Sequence, residues 1–130
     1  LEYRLVYGDS CNADGEKTYR LPLDTYGAYS GCAITEHMFD KDALIFDGSQ
    51  ITLAGIAYPD GTPYILMECE GFTNFGIWSL PGAPYICLEP WRGRCDDYGF
   101  EGDISEKPDI VSVEAGDVFH QNYTITVYKK

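Results

Sequence analysis

Basic residues are scarce in this 130-residue chain: 9 Lys and Arg stand against 21 Asp and Glu, for a net charge of -12. So acidic a surface repels phosphate backbones and anionic headgroups, which excludes nucleic acid and charged membrane surfaces as ordinary partners. No stretch approaches the roughly 20 apolar residues that a membrane-spanning helix needs, and no basic-apolar-small signal segment opens the chain. A soluble, cytoplasmic protein is the expectation. Cys11, Cys32, Cys69, Cys87 and Cys95 are odd in number and contain no C-x-x-C pair. Neither a zinc site nor a complete disulfide framework follows, and free thiols in a reducing compartment are expected. The polar stretch at 10–15 falls short of a calcium loop, because it opens on Ser10 and has Leu21 where the twelfth-position Glu belongs. A hairpin turn accounts for it better, and no metal is expected. Helical periodicity is almost absent; only 35–41 reads as a brief helix.

What the chain does have is 15% aromatic residues, 14 Gly and 7 Pro, a balance that favours strands joined by tight turns. Strands are expected at 3–7, 18–23, 43–46, 51–58, 64–69, 76–78, 85–89, 110–113 and 118–128. Pro59-Asp60-Gly61 reads as a hairpin turn, and Asp47-Gly48 and Ala115-Gly116-Asp117 punctuate other segments. In the last strand Phe119, Tyr123, Ile125 and Val127 share one face and His120, Asn122, Thr124 and Thr126 the other, the pattern of a half-buried antiparallel strand. No internal repeat, low-complexity tract or linker divides the chain. The pattern implies an all-β protein with antiparallel sheets, in which 1–130 forms a single domain or domain fragment. Its opening at Leu1, without Met and directly on a strand-like segment, favours a fragment or processed chain.

Glu89 is the residue that asks for chemistry. It closes the apolar run Tyr85-Ile86-Cys87-Leu88 and is followed at once by Pro90 and Trp91. A carboxylate ending a buried-looking strand, beside an indole and a Pro that fixes the backbone, is costly unless it is paired or used. The ordinary alternative is a Glu at a strand end pointing to water.

The surrounding residues read Gly76-Ile77-Trp78-Ser79, then Pro81-Gly82-Ala83-Pro84-Tyr85, then Glu89-Pro90-Trp91-Arg92-Gly93-Arg94-Cys95-Asp96. This series resembles the G-I-W-S, P-x-x-P-[FY], E-P-W-x-G-x-x-D signature of the aldose 1-epimerases (galactose mutarotases), in particular the LacX-like branch. The resemblance extends upstream through 38–46 and downstream through 106–110, so it covers most of the chain but only the second half of a family member. It implies an antiparallel β-sandwich, the C-terminal part of a galactose-mutarotase-like supersandwich. Such a half would leave strand edges and apolar faces that the preceding N-terminal half of the same protein, or a second copy, should cover.

The resemblance also implies a cofactor-free reaction on a hexose sugar. A base takes the proton of the anomeric hydroxyl while an acid protonates the ring oxygen; the ring opens, the C1–C2 bond rotates, and reclosure gives the other anomer. Glu89 occupies the base position, and Leu88, Pro90 and Trp91 are candidates for the apolar wall that such a base needs. Asp42 corresponds to a sugar-holding carboxylate, with a plain turn cap as the equal alternative. Trp91 and Trp78 offer ring faces to a pyranose, or else pack in the sandwich. Arg94 and Asp96 belong to a charged rim whose default is a solvated loop, with a sugar contact as the sharper reading. The family's acid is a His preceding the base by more than the 88 residues that precede Glu89 here, and neither His37 nor His120 matches it. Two functions therefore stand open: the base-bearing part of an aldose 1-epimerase, this chain by itself inactive, or a non-catalytic carbohydrate-binding or structural β-domain derived from that fold.

Overall fold

The computed structural model describes residues 2–4, 18–97 and 99–129, with side-chain detail from residue 21 onward. The Ser10-to-Gly15 stretch, Cys11 and most of the expected first strand lie outside the described residues. Regular structure among the described residues is strand, apart from one 3-10 turn at Ile104–Glu106. The strands are β1 (Glu2–Arg4), β2 (Thr18–Arg20), β3 (Asp24–Tyr26), β4 (Tyr29–Gly31), β5 (Leu44–Phe46), β6 (Leu53–Ala57), β7 (Pro63–Glu68), β8 (Asn74–Trp78), β9 (Cys87–Trp91) and β10 (Thr124–Val127). They form a five-stranded sheet in the order β2-β1-β5-β8-β9, a three-stranded sheet in the order β10-β7-β6, and the separate hairpin β3-β4. Every pairing is antiparallel. The protein is all-β, as the strand pattern implies.

Register explains which side chains meet. Leu44 stands opposite Ile77 and Phe46 opposite Phe75, while Ile77 and Phe75 stand opposite Leu88 and Pro90. Opposed residues share a face, so this row makes one apolar side of the larger sheet. Leu44, Phe46 and Phe75 are buried there with Met67 of β7, and Ile51, Cys69, Phe72 and Phe39 close the same core. The two sheets thus pack face to face as a sandwich, and each fully buried Leu or Phe contributes about 1.5–3 kcal/mol. Burial also pushes the Cys69 thiol up, so it stays protonated and inert. Cys32, Cys69, Cys87 and Cys95 are all free thiols.

The Pro59-Asp60-Gly61 turn joins β6 to β7 as expected: Gly61 N–H donates to Tyr58 O at 2.8 Å, and Thr62 N–H to Asp60 Oδ1 at 2.9 Å. Four expectations fail. The helix expected at 35–41 is a series of separate turns, in which Met38, Asp40 and Asp42 N–H donate to the carbonyls of Thr35, His37 and Phe39. The β3-β4 hairpin, turned at Gly27 with φ +60°, occupies a region, 24–31, in which no strand was expected. Residues 110–113 form no strand. The strand expected at 118–128 shrinks to β10, and it is exposed along its whole length rather than half-buried. Ile125 opposes Met67 and Val127 opposes Ile65, so both stand on the core side of their sheet. Yet they remain 51% and 64% exposed, because no described element packs over that flank.

Candidate functional site

The carboxylate of Glu89 sits on the face of the larger sheet that looks away from the core. Contrary to the expectation that Glu89 ends its strand, β9 runs through it to Trp91. Pro90 does not stop the strand because β9 is the sheet's edge, where a missing N–H costs no ladder bond. The side-chain alternation then divides the expected wall: Leu88 and Pro90 point toward the core side, while Glu89 and Trp91 share the outer face. Ile45, 1% exposed, lies in the same row, opposite Gly76, which in turn opposes Glu89. The apolar neighbour of the carboxylate on that face is therefore the Trp91 indole, two residues along the strand, with Ile45 two strands away.

Trp91 Nε1–H donates to Glu89 Oε2 at 3.1 Å. Glu89 is half-buried, and its other oxygen accepts no hydrogen bond among the described residues. One oxygen is thus held, and among the described residues the other is left to a hydroxyl.

Both ends of the β8-β9 hairpin are tied by side chains. On the entry side Ser79, 6% exposed, donates its hydroxyl to Tyr85 O at 2.7 Å and closes the 80–85 loop. On the exit side Gly93, at φ +90°, is held twice: its N–H donates to Thr73 Oγ1 at 3.1 Å and its carbonyl accepts from Asn74 Nδ2 at 3.2 Å. Asn74, buried to 2%, also donates to Asp109 Oδ2 at 3.1 Å, which fastens the downstream segment to the sheet. Positive φ at Gly93 suits glycine, and the double tie is what fixes the direction of the chain leaving Trp91. Thr73, Asn74, Gly76 and Asp109 were not singled out from sequence as site residues. The visible signal was a polar Thr-Asn pair at the entry to an apolar strand, which demands partners when buried.

The other candidates are placed differently. Asp42 is exposed at φ +81°, and its Oδ1 accepts from Ala43 N–H at 2.7 Å. Its carboxylate caps the turn before β5, and β8 lies between β5 and β9, so two strand spacings put roughly 10 Å between the strand that Asp42 leads into and the strand that carries Glu89. Arg94 is not solvated: its side chain is 5% exposed and forms a two-pronged pair with Asp97, Nη1 to Oδ1 at 2.7 Å and Nη2 to Oδ2 at 3.2 Å. That pair raises the guanidinium above its ordinary pKa, against the opposing effect of burial. Asp96 instead meets Lys107 Nζ at 2.9 Å. Trp78 packs at the rim of the core and against Tyr85, ring centroids 6.3 Å apart. His37 is a surface residue whose Nδ1 lies 2.8 Å from Asp40 Oδ2, and His120 is exposed. The structure brings Glu89 and Trp91 together; it ties Arg94 to Asp97 and leaves Asp42 on a separate turn.

No helix among the described residues is long and apolar enough to cross a membrane. No protein-family model matches the chain, and no solved structure does. Two curated proteins are similar to it, the plasmid and the chromosomal Protein LacX of Lactococcus lactis subsp. lactis, each 24% identical over 91 residues. The matched stretch is 69% of this chain and 30% of each relative, so the chain spans under a third of their length.

Proposed function

We propose that this chain is the base-bearing part of an aldose 1-epimerase-like protein, with Glu89 taking the proton from the anomeric hydroxyl of a hexose. The observation that carries it is the half-tethered carboxylate: Trp91 holds Oε2 of Glu89 in place on a strand, and Oε1 is left to accept a proton. The E-P-W motif supports the same reading, and the distant similarity to the LacX proteins is consistent with the family relationship it rests on. Base and acid must act on one bound sugar, and on this reading the acid is the histidine that the family resemblance implies in the preceding polypeptide, His37 being engaged with Asp40 and His120 exposed. Asp42 and Arg94 are proposed sugar-side residues of lower reach, Asp42 through the carboxylate oxygen that does not cap Ala43. The exposed histidines favour a second reading, a non-catalytic carbohydrate-binding or structural β-domain that keeps the fold without the acid.

In the complete polypeptide, Glu89→Gln keeps shape, removes the base, and is expected to slow mutarotation about a hundredfold or more. Polarimetry of freshly dissolved α-glucose or α-galactose measures it, and a mutant within about threefold of the parent sinks the assignment. The 130-residue chain alone is expected to stay at the buffer rate.

The apolar flank at Ile125 and Val127 is covered, on this proposal, by the additional polypeptide that makes the relatives more than three times as long as the matched stretch. Sedimentation at micromolar concentration tests it: the chain should pair with that polypeptide when the two are mixed. A lone, cooperatively unfolding monomer that ignores it, or a dimer of this chain alone, counts against that occupant.

A further inference from the structure

We propose that Gly76 and Trp91 are positioning residues for the Glu89 carboxylate, Gly76 by supplying the empty space in which the Trp91 indole must lie to reach it. Gly76 is buried and stands directly opposite Glu89 across the β8-β9 ladder. A methyl group at residue 76 would lie 2.7 Å from Cζ2 of Trp91, 3.1 Å from Cε2 and 3.2 Å from Cη2. Carbon atoms rest at about 3.5–4.0 Å, so the six-membered ring of the indole occupies the volume that any other residue's Cβ would take.

Backbone conformation gives no competing reason for glycine here. Among the described residues the positive-φ glycines are Gly27, Gly48, Gly61, Gly71, Gly82, Gly93, Gly99 and Gly116, and Gly76 is not one of them. Its backbone is that of a paired strand residue, with Phe75 and Ile77 in register on either side. A glycine in a strand interior is destabilising unless something approaches closely, and the approaching group is the indole. From that position Nε1–H reaches Oε2. The Cε2–Cζ2–Cη2 edge of the Trp91 indole thus lies against Gly76, across the ladder from Glu89. In this arrangement the first glycine of G-I-W-S and the tryptophan of E-P-W are two halves of one contact.

The inference rests on Glu89 being the base, and its test separates the two claims. Uniformly nitrogen-labelled chain has two indole N–H signals, from Trp78 and Trp91. Glu89→Ala and Gly76→Ala should each displace the Trp91 signal and leave that of Trp78 in place. In the complete polypeptide Gly76→Ala should lower kcat about tenfold or more with KM within about twofold, since a misdirected base slows the step without weakening sugar binding. Added to Trp91→Leu, which empties the volume, Gly76→Ala should cost nothing further. If Gly76→Ala does not fold, Trp91→Phe keeps a ring and removes the donor, and the same loss in kcat is expected. A Trp91 signal and a rate both unmoved by Gly76→Ala, or equal rate losses from Gly76→Ala with and without Trp91, overturn the proposal. Should the signal move while Glu89→Gln leaves mutarotation intact, it is the assignment of the base that falls.

Discussion

The β8-β9 hairpin and the β7-β10 pair are built alike, antiparallel and rich in apolar residues, but they end in opposite surroundings. Phe75 on β8 is 1% exposed, whereas Val127 on β10 is 64% exposed, although both face the same sandwich interior. Around β8 the neighbouring strand β5 and the residues Ser79, Thr73 and Asn74 close every side. Among the described residues β10 is an edge, with β7 on one side only. Alternation in a sequence therefore says that a strand has an apolar face; what covers the face is decided by elements distant in the chain.

The largest effect should come from the covered side. Phe75→Ala opens a cavity between Phe46 and Pro90 and is expected to cost about 3–5 kcal/mol in urea unfolding, enough to unfold a marginal domain. A cost under about 1 kcal/mol would erase the contrast, because it would mean that the hairpin is as loosely packed as β10. The smaller effect belongs to the flank. Ile125→Ala and Val127→Ala should each cost under about 1 kcal/mol in this chain, because half or more of either side chain already meets water. Measured in the complete polypeptide, the same substitutions should rise toward the roughly 2 kcal/mol or more of a covered aliphatic position. Equal costs in both settings would show the flank to be a finished surface.

Much of the fold was legible because its signals are local. Leu44-Ile45-Phe46 and the runs on either side of Pro59-Asp60-Gly61 carry strand propensity and turn chemistry in their own residues. The β3-β4 hairpin was not legible: two three-residue strands, mostly exposed, leave no apolar alternation to find. Glu89 was read at a strand end because the apolar run 85–88 closes there, and only the sheet order, which places β9 at an edge where Pro90 is tolerated, shows the strand continuing. Carboxylate and indole were recognisable as a pair worth attention, two residues apart on one strand face. Their link to Gly76 was hidden, since it depends on the register that sets residue 76 opposite residue 89. The solvated-loop default for Arg94 failed for a similar reason: a charged residue in a Gly-containing loop gives no hint that a carboxylate three residues on will draw it inward.

Pro90 has a consequence for how such proteins live at high concentration. An uncapped edge invites a strand from another molecule to continue the sheet, and the seeded growth of aggregates begins at such places. Beside the carboxylate the edge presents a pyrrolidine ring with no N–H to offer, so an incoming strand finds its ladder broken in the middle of β9. The proline that follows the candidate base is a gatekeeper at the β9 edge.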